Sequence, residues 1–269
     1  MQVTSERAIH RYSQGVAADT IGTVAEEVPV ALVYQGVPHV VMLATPADLE
    51  DFAVGFTISE GLAESVSEVL DVRVDPGKHA IDVHVRIAPS RFSALLQRRR
   101  NLSGRTGCGL CGAETLEQVM RPVTAVPAGT SFDAGEMHTA LRALSARQPI
   151  NALTGSVHAA GWVASGAGLT CVREDVGRHN ALDKTLGALL RAGTDLASGY
   201  MLITSRASFE MVQKSASAGV GLLAAVSAPT GLAICAAEKA GMGLVGFARE
   251  GEHVVYAHPE RLKSGRDTG

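Results

Sequence analysis

The sequence predicts an α/β protein in which a small β-rich N-terminal domain of α+β type precedes a larger domain built on a mixed sheet. Three observations carry that expectation. Short apolar runs bounded by turn residues fill the first part, residues 1–100. In the second part, residues 126–262, an apolar hairpin pattern is followed by strand-like runs alternating with short helical stretches. A glycine-rich segment, residues 101–125, separates the two and reads as a flexible connector, while 263–269 reads as a disordered tail. Buried strands alternating with helices imply parallel strands covered on both faces, and the hairpin adds antiparallel ones.

In chain order, residues 28–34 and 37–43 are strands joined by Gln35-Gly36, a hairpin signal. A helix is expected over 45–56, with Thr45 as cap, Pro46 in the first position and acids in the first turn. Residues 69–74 and 80–87, apolar at 81, 83, 85 and 87, are two further strands around Asp75-Pro76-Gly77. The second part opens on an antiparallel pair, 157–163 and 169–173, around Ser165–Gly168. A helix over 180–191 follows, then strands at 201–204, 221–226 and 243–247 alternating with helices at 209–218 and 230–240.

Composition narrows the function. With 46% apolar residues among 269 the chain can bury a full core. A net charge of −3 and only 4% aromatics give neither the basic surface nor the stacking residues of a nucleic-acid binder. No apolar signal core follows Met1, and the longest apolar stretch, 220–237, is broken by Ser227, Pro229 and Thr230, so no membrane span is expected and the cytoplasm is the expected location.

In that reducing setting a C-x-x-C is catalytic or metal-binding rather than a structural disulfide. Cys108 and Cys111 form one, among glycines at 104, 107, 109 and 112 that leave the backbone open. Residues 113–120 read as a helix with acids in its first turn, placing both thiols at a helix N-terminus, where thiolate is favoured. Cys171 and Cys235 stand alone in apolar surroundings and read as buried bystanders.

Several motifs fail in context. Gly241–Gly246 matches G-x-G-x-x-G, yet here a helix ends and a strand begins, so Gly241 reads as a helix C-terminal glycine. A zinc deaminase needs H-x-E ahead of P-C-x-x-C, whereas His258-Pro259-Glu260 comes last and Gly107 stands in place of the proline. A zinc ribbon lacks its second ligand pair, and no metal of the protein's own is expected. His179 reads either as a hydrogen-bonded structural residue or as an acid or base. Arg98-Arg99-Arg100 is either a solvated helix end or an anion or partner contact.

Polar residues gather where the predicted strands end: Thr204-Ser205-Arg206, Ser227–Thr230 and Arg249-Glu250, with Arg173 and Arg178 near the hairpin's end. Arg173, Arg178, Arg206 and Arg249 on one rim, with hydroxyls and helix N-termini, suit an anionic, phosphorylated ligand.

The runs 107–112, 154–160, 174–184, 205–211, 227–230 and 245–249, in this order, resemble the formate dehydrogenase accessory sulfurtransferase family, FdhD, over nearly the whole chain. The resemblance implies a cytidine-deaminase-like α/β second domain without the zinc chemistry. It implies a persulfide carrier that takes sulfur from a cysteine desulfurase on Cys108, with Cys111 assisting or resolving. The acceptor it implies is the molybdenum or tungsten of a bis(molybdopterin guanine dinucleotide) cofactor, bound as substrate and destined for formate dehydrogenase. By the same resemblance the cofactor-binding segment falls on Phe247, Ala248, Arg249, Glu250, Gly251 and Glu252; Ser205, Arg206 and Thr230 join it from the neighbouring strand ends, and a homodimer is expected. A thiol–disulfide oxidoreductase and a guanine-nucleotide carrier without sulfur chemistry are the alternatives.

Overall fold

The structure is a computed structural model that describes residues 1–103 and 123–263. Cys108 and Cys111 therefore lie outside the described residues, with most of the 101–125 segment. The mixed α/β class is as the sequence predicts.

Two hairpins open the chain. β1 (Thr4–Ser13) and β2 (Val16–Ala25) form a separate two-stranded ribbon turned at Gln14-Gly15, with φ of 51° and 82°. β3 (Val28–Tyr34) and β4 (Val37–Ala44) turn at Gln35-Gly36, with φ of 45° and 82°. Two consecutive positive φ values twist the chain in the sense that antiparallel strands require. β3 pairs in parallel with β6 (Ile81–Ile87), whose other edge pairs antiparallel with β5 (Val69–Pro76), giving the order β4-β3-β6-β5. Val30, Leu32, Val83 and Val85 bury one face of this sheet with Phe52 and Phe56 of α1 (Leu49–Ser59) and Leu95 of α2 (Pro89–Ser103).

Helix α1 starts later than its sequence suggests. Asp48 precedes it in a left-handed conformation, φ 53°, and Thr45 caps nothing. Thr45 is instead fully buried and gripped from the second sheet. Its amide donates to the Asp175 carboxylate (3.0 Å), its hydroxyl accepts from the Val176 amide (3.1 Å), and its carbonyl accepts from Lys184 (2.9 Å).

The second sheet has six strands in the order β13-β12-β11-β10-β8-β9. β10 (Gly199–Ile203), β11 (Leu222–Ala225) and β12 (Gly243–Arg249) are parallel neighbours. β8 (His158–Ala164), β9 (Gly168–Asp175) and β13 (Glu252–Ala257) pair antiparallel. Side chains alternate across it. Met201, Ile203, Leu223 and Ala225 face α5 (Arg178–Arg191), α6 (Phe209–Ser217) and α7 (Gly231–Ala240). Tyr200, Leu202, Leu222 and Ala224 face α3 (Ala134–Ala146), which is capped by the Asp133 carboxylate on the Glu136 amide at 2.8 Å. The short helix α4 (Pro149–Thr154) follows α3, and β7 (Phe132–Asp133) pairs with β14 (Leu262–Lys263). Gly241 ends α7 at φ 69°, as expected. β1, β2, α2, α3, α4 and β13 were not expected from sequence.

Helices α1 and α5 join the two sheets at backbone contact. A Cβ on Gly55 would lie 1.8 Å from the Asp183 carbonyl oxygen, and one on Gly187 would lie 1.8 Å from that of Asp51. Charges brace the crossing on both sides. Asp51 pairs with Arg173 and Arg191, while Lys214 reaches Asp183 (2.8 Å) and Glu60 (2.7 Å).

Candidate functional site

The chain path brings chemistry to one edge of the six-stranded sheet. Strands β9, β10, β11 and β12 all end there, at Asp175, Ile203, Ala225 and Arg249, and β8, running the other way, starts there at His158. Helices α5, α6 and α7 follow three of those strand ends, so their N-termini open on the same edge. Unpaired N–H groups and aligned dipoles make such an edge receptive to anions.

A cleft of about 610 Å³ opens at this edge on the α3 side of the sheet. Thr204, Val226 and Ala248 form its floor as direct continuations of β10 and β11 and as part of β12. Arg249 and Glu250 supply one wall and Arg142 and Ser145 of α3 the other, with Asn151 and His158 at the remaining side. Such a volume suits one nucleotide-sized ligand.

The expected cofactor segment divides in the structure. Ala248, Arg249 and Glu250 line the cleft. Phe247 does not: it is exposed, takes φ 50°, and its amide donates to the Ser227 carbonyl at 3.2 Å. Gly251 makes the turn at φ 75°, and Glu252 pairs across it with Arg249. Ser205 is buried with its hydroxyl donating to the Arg206 carbonyl (3.1 Å), and Arg206 is exposed outside the cleft. Thr230 caps α7, accepting from the Ala233 amide at 3.3 Å. These three hydroxyl and guanidinium residues are at the right edge yet do not line the cleft. Arg142, Ser145, Asn151 and His158 do line it and were not singled out; all but His158 sit on or beside helices missed from sequence. The Asp133–Glu136 spacing was the available signal for α3.

The four-arginine rim needs correcting. Arg173 turns toward α1, where its guanidinium pairs with Asp51 (2.8 Å) and Asp48 (3.4 Å). Arg178 stays at the edge as the first residue of α5, and its charge helps hold the His158 imidazole below its ordinary pKa, after burial.

Cys171 is half-buried, and burial pushes its thiol up, which suits a bystander. Cys235 is exposed, contrary to expectation: α7 buries Ala233, Ala236, Ala237 and Ala240, so position 235 faces outward. Among the described residues no helix is long and apolar enough to cross a membrane.

His179 has a buried Nε2 with no hydrogen-bond partner among the described residues, so the hydrogen-bonded reading fails at that atom. Burial first, then Arg178 and Lys214, push its pKa down to about 4. The ring is neutral at pH 7. As pH falls below the unfolded value of 6.5, the unfolded chain takes up a proton that the native ring refuses, so stability is lost between 6.5 and about 4. At pH 5 this loss amounts to about 2 kcal/mol. Chemical denaturation at pH 7.5 and 5.0 is expected to show a smaller acid loss in His179→Gln by that amount; equal losses in both proteins would contradict it.

The sequence profile of the FdhD/NarQ family matches residues 25–263. This chain belongs to the FdhD/NarQ family. The sulfur carrier protein FdhD of Cupriavidus necator is 54% identical over 256 residues, 95% of this chain and 89% of that protein. The sulfur carrier protein FdhD of Xanthomonas axonopodis pv. citri is 50% identical over 263 residues, 98% of this chain and 94% of its own length. A crystal structure described as a formate dehydrogenase accessory protein, from Desulfotalea psychrophila, shares the fold with a TM-score of 0.75, covering 97% of this chain and all of that one at 22% identity. The cleft described above thus sits within the segment that the FdhD/NarQ profile matches.

Proposed function

We propose that this FdhD/NarQ family member is a sulfur carrier that loads sulfur on Cys108 and delivers it to the molybdenum of a guanine dinucleotide cofactor destined for formate dehydrogenase. The observation that carries the reading is identity of 50% or more, over at least 95% of the chain, to proteins named sulfur carrier protein FdhD. The cleft supports the cofactor half. It is nucleotide-sized, lies at the strand ends where ligands of α/β sheets bind, and is walled by Arg142 and Arg249, whose guanidiniums suit a phosphate. It holds one nucleotide end of the cofactor, and we assign that role to Ala248, Arg249 and Glu250.

The sulfur chemistry runs through thiolates. Cys108 attacks the outer sulfur of a desulfurase persulfide; that S–S bond breaks, the desulfurase leaves as thiolate, and Cys108 carries the persulfide. Cys111 then attacks the inner sulfur, forming a Cys108–Cys111 disulfide and releasing hydrosulfide to the acceptor. A cellular dithiol supplies the two electrons that reopen the disulfide. A cytoplasmic, homodimeric protein working with a cysteine desulfurase fits this cycle.

The test is activation of formate dehydrogenase in bacteria lacking their own accessory protein. The wild-type chain is expected to restore activity, and Arg249→Glu to restore about tenfold less while still accepting sulfur. A folded wild-type protein that restores nothing would overturn the reading.

A further inference from the structure

Two contacts, neither used above, fasten the tip of β12–β13 to α3. His138 Nε2 lies 3.1 Å from His253 Nδ1, with ring centroids 5.1 Å apart and planes tilted by 58°. One helical turn further along α3, Arg142 pairs with Glu250 at 3.0 Å. Arg142 and Glu250 both line the cleft, one from α3 and the other from the β12–β13 turn.

The backbone explains why the tip needs fastening. Among the described residues β13 is an edge strand, paired on one side only. Its ladder with β12 jumps from Gly246↔Val254 to Arg249↔Glu252, leaving Phe247 and Ala248 opposite His253 alone. This is a β-bulge, with Phe247 in the left-handed conformation at its first position. Bulges kink a strand and re-aim side chains, and strain of this kind gathers at functional sites. Here the bulge puts the His253 ring against α3.

We infer that His138 and His253 are positioning residues whose mutual hydrogen bond holds the β12–β13 turn on α3 and thereby sets the width of the nucleotide cleft. The inference rests on the proposed reading of that cleft. An imidazole–imidazole hydrogen bond needs one N–H and one bare nitrogen, so at least one ring must be neutral. Burial, and then His138, lower the pKa of His253 below its ordinary value, which keeps the bond made at neutral pH. Acid that protonates both rings sets two donors face to face, and the turn comes away.

Other charged groups stand near the pair. On the α3 side Asp133 caps the helix, Glu136 accepts from the Gly166 amide, and Arg142 holds Glu250. On the turn side Arg249 and Glu252 are opposite each other in the backbone ladder, as are Lys263 of β14 and Asp133 of β7. His158, also in the cleft wall, is the remaining imidazole that titrates there.

The test is calorimetric binding of guanosine diphosphate at pH 7.5 and 5.5, beside hydrogen exchange over residues 247–256 of the nucleotide-free protein. Wild type is expected to bind about tenfold more weakly at pH 5.5 and to exchange faster there than the intrinsic rate accounts for. His253→Gln, whose amide keeps a hydrogen bond to His138 without titrating, is expected to lose both pH effects. An acid loss of affinity that persists in His253→Gln belongs to His158 and overturns the inference. If guanosine diphosphate binds at neither pH, the reading of the cleft fails, and exchange alone decides the latch: protection equal at both pH values overturns it.

Discussion

Alanine at Gly55 is expected to cost about 3 kcal/mol or more, and alanine at Gly187 as much. Each new methyl would sit 1.8 Å from a backbone carbonyl oxygen of the opposite helix, and a backbone oxygen cannot rotate away as a side-chain end does. Relief requires α1 and α5 to separate. That separation would stretch the buried Lys214–Asp183 pair and the Asp51 pairs with Arg173 and Arg191, which are set for the present distance. Overpacking usually costs about 1–3 kcal/mol; a clash with unyielding backbone belongs at or beyond the upper end. Thermal unfolding is expected to fall by roughly 6–12 °C. Gly231 is the control. It too opens a helix residue to substitution, but a Cβ there meets nothing within 4 Å, so Gly231→Ala should leave the midpoint within a degree or two, about 0.5 kcal/mol. An unchanged midpoint in Gly55→Ala would mean that the two helices do not cross as described.

The second large effect is expected at Lys184. Its ammonium is fully buried, 2.6 Å from an equally buried Asp175, and it also donates to the Thr45 carbonyl. Asp175 accepts further bonds from the amides of Thr45 and Gly177 and from the Asn180 side chain. Burial drives the Lys184 pKa down and the neighbouring carboxylate drives it back up, so the pair stands or falls together. Lys184→Met removes the cation and leaves a carboxylate in a dry site, a loss of about 3–5 kcal/mol. Adding Asp175→Asn should recover part of that, because an uncharged amide no longer needs the cation. Denaturant unfolding of the single and double variants measures both numbers; a single variant as stable as wild type would contradict the account. Because Thr45 belongs to the first sheet's connection and Asp175 and Lys184 to the second, this pair also ties the two sheets together.

These two sites show where sequence reading stops. Alternation at 81, 83, 85 and 87, the Gln35-Gly36 turn and the apolar runs of β10, β11 and β12 were legible because each element advertises its own buried face. The ribbon β1–β2 was not, since most of its residues, including Tyr12, Val16 and Ile21, remain exposed and leave no buried stripe. Thr45-Pro46-Ala47-Asp48 looked like a helix start because local propensity favours it; the turn instead serves Asp175, Val176 and Lys184, over a hundred residues away. A glycine inside a helix hints at close approach, yet nothing in the local sequence of Gly55 names Gly187 as its partner. Arg173 was misplaced for the same reason, because its partner Asp51 arrives only with the fold. The strand-end clustering of polar residues did locate the cleft's edge and four of its residues, Thr204, Ala248, Arg249 and Glu250. The wall formed by α3 stayed hidden with that helix.

The central claim is that Cys108 carries sulfur, and intact-protein mass tests it most directly. Wild type and Cys108→Ala would each be incubated with a cysteine desulfurase and cysteine, then weighed with and without a thiol reductant. The account predicts one additional sulfur on the wild type, removed by the reductant and missing from Cys108→Ala. A wild-type mass that does not change with an active desulfurase, or an equal gain in the variant, would contradict it.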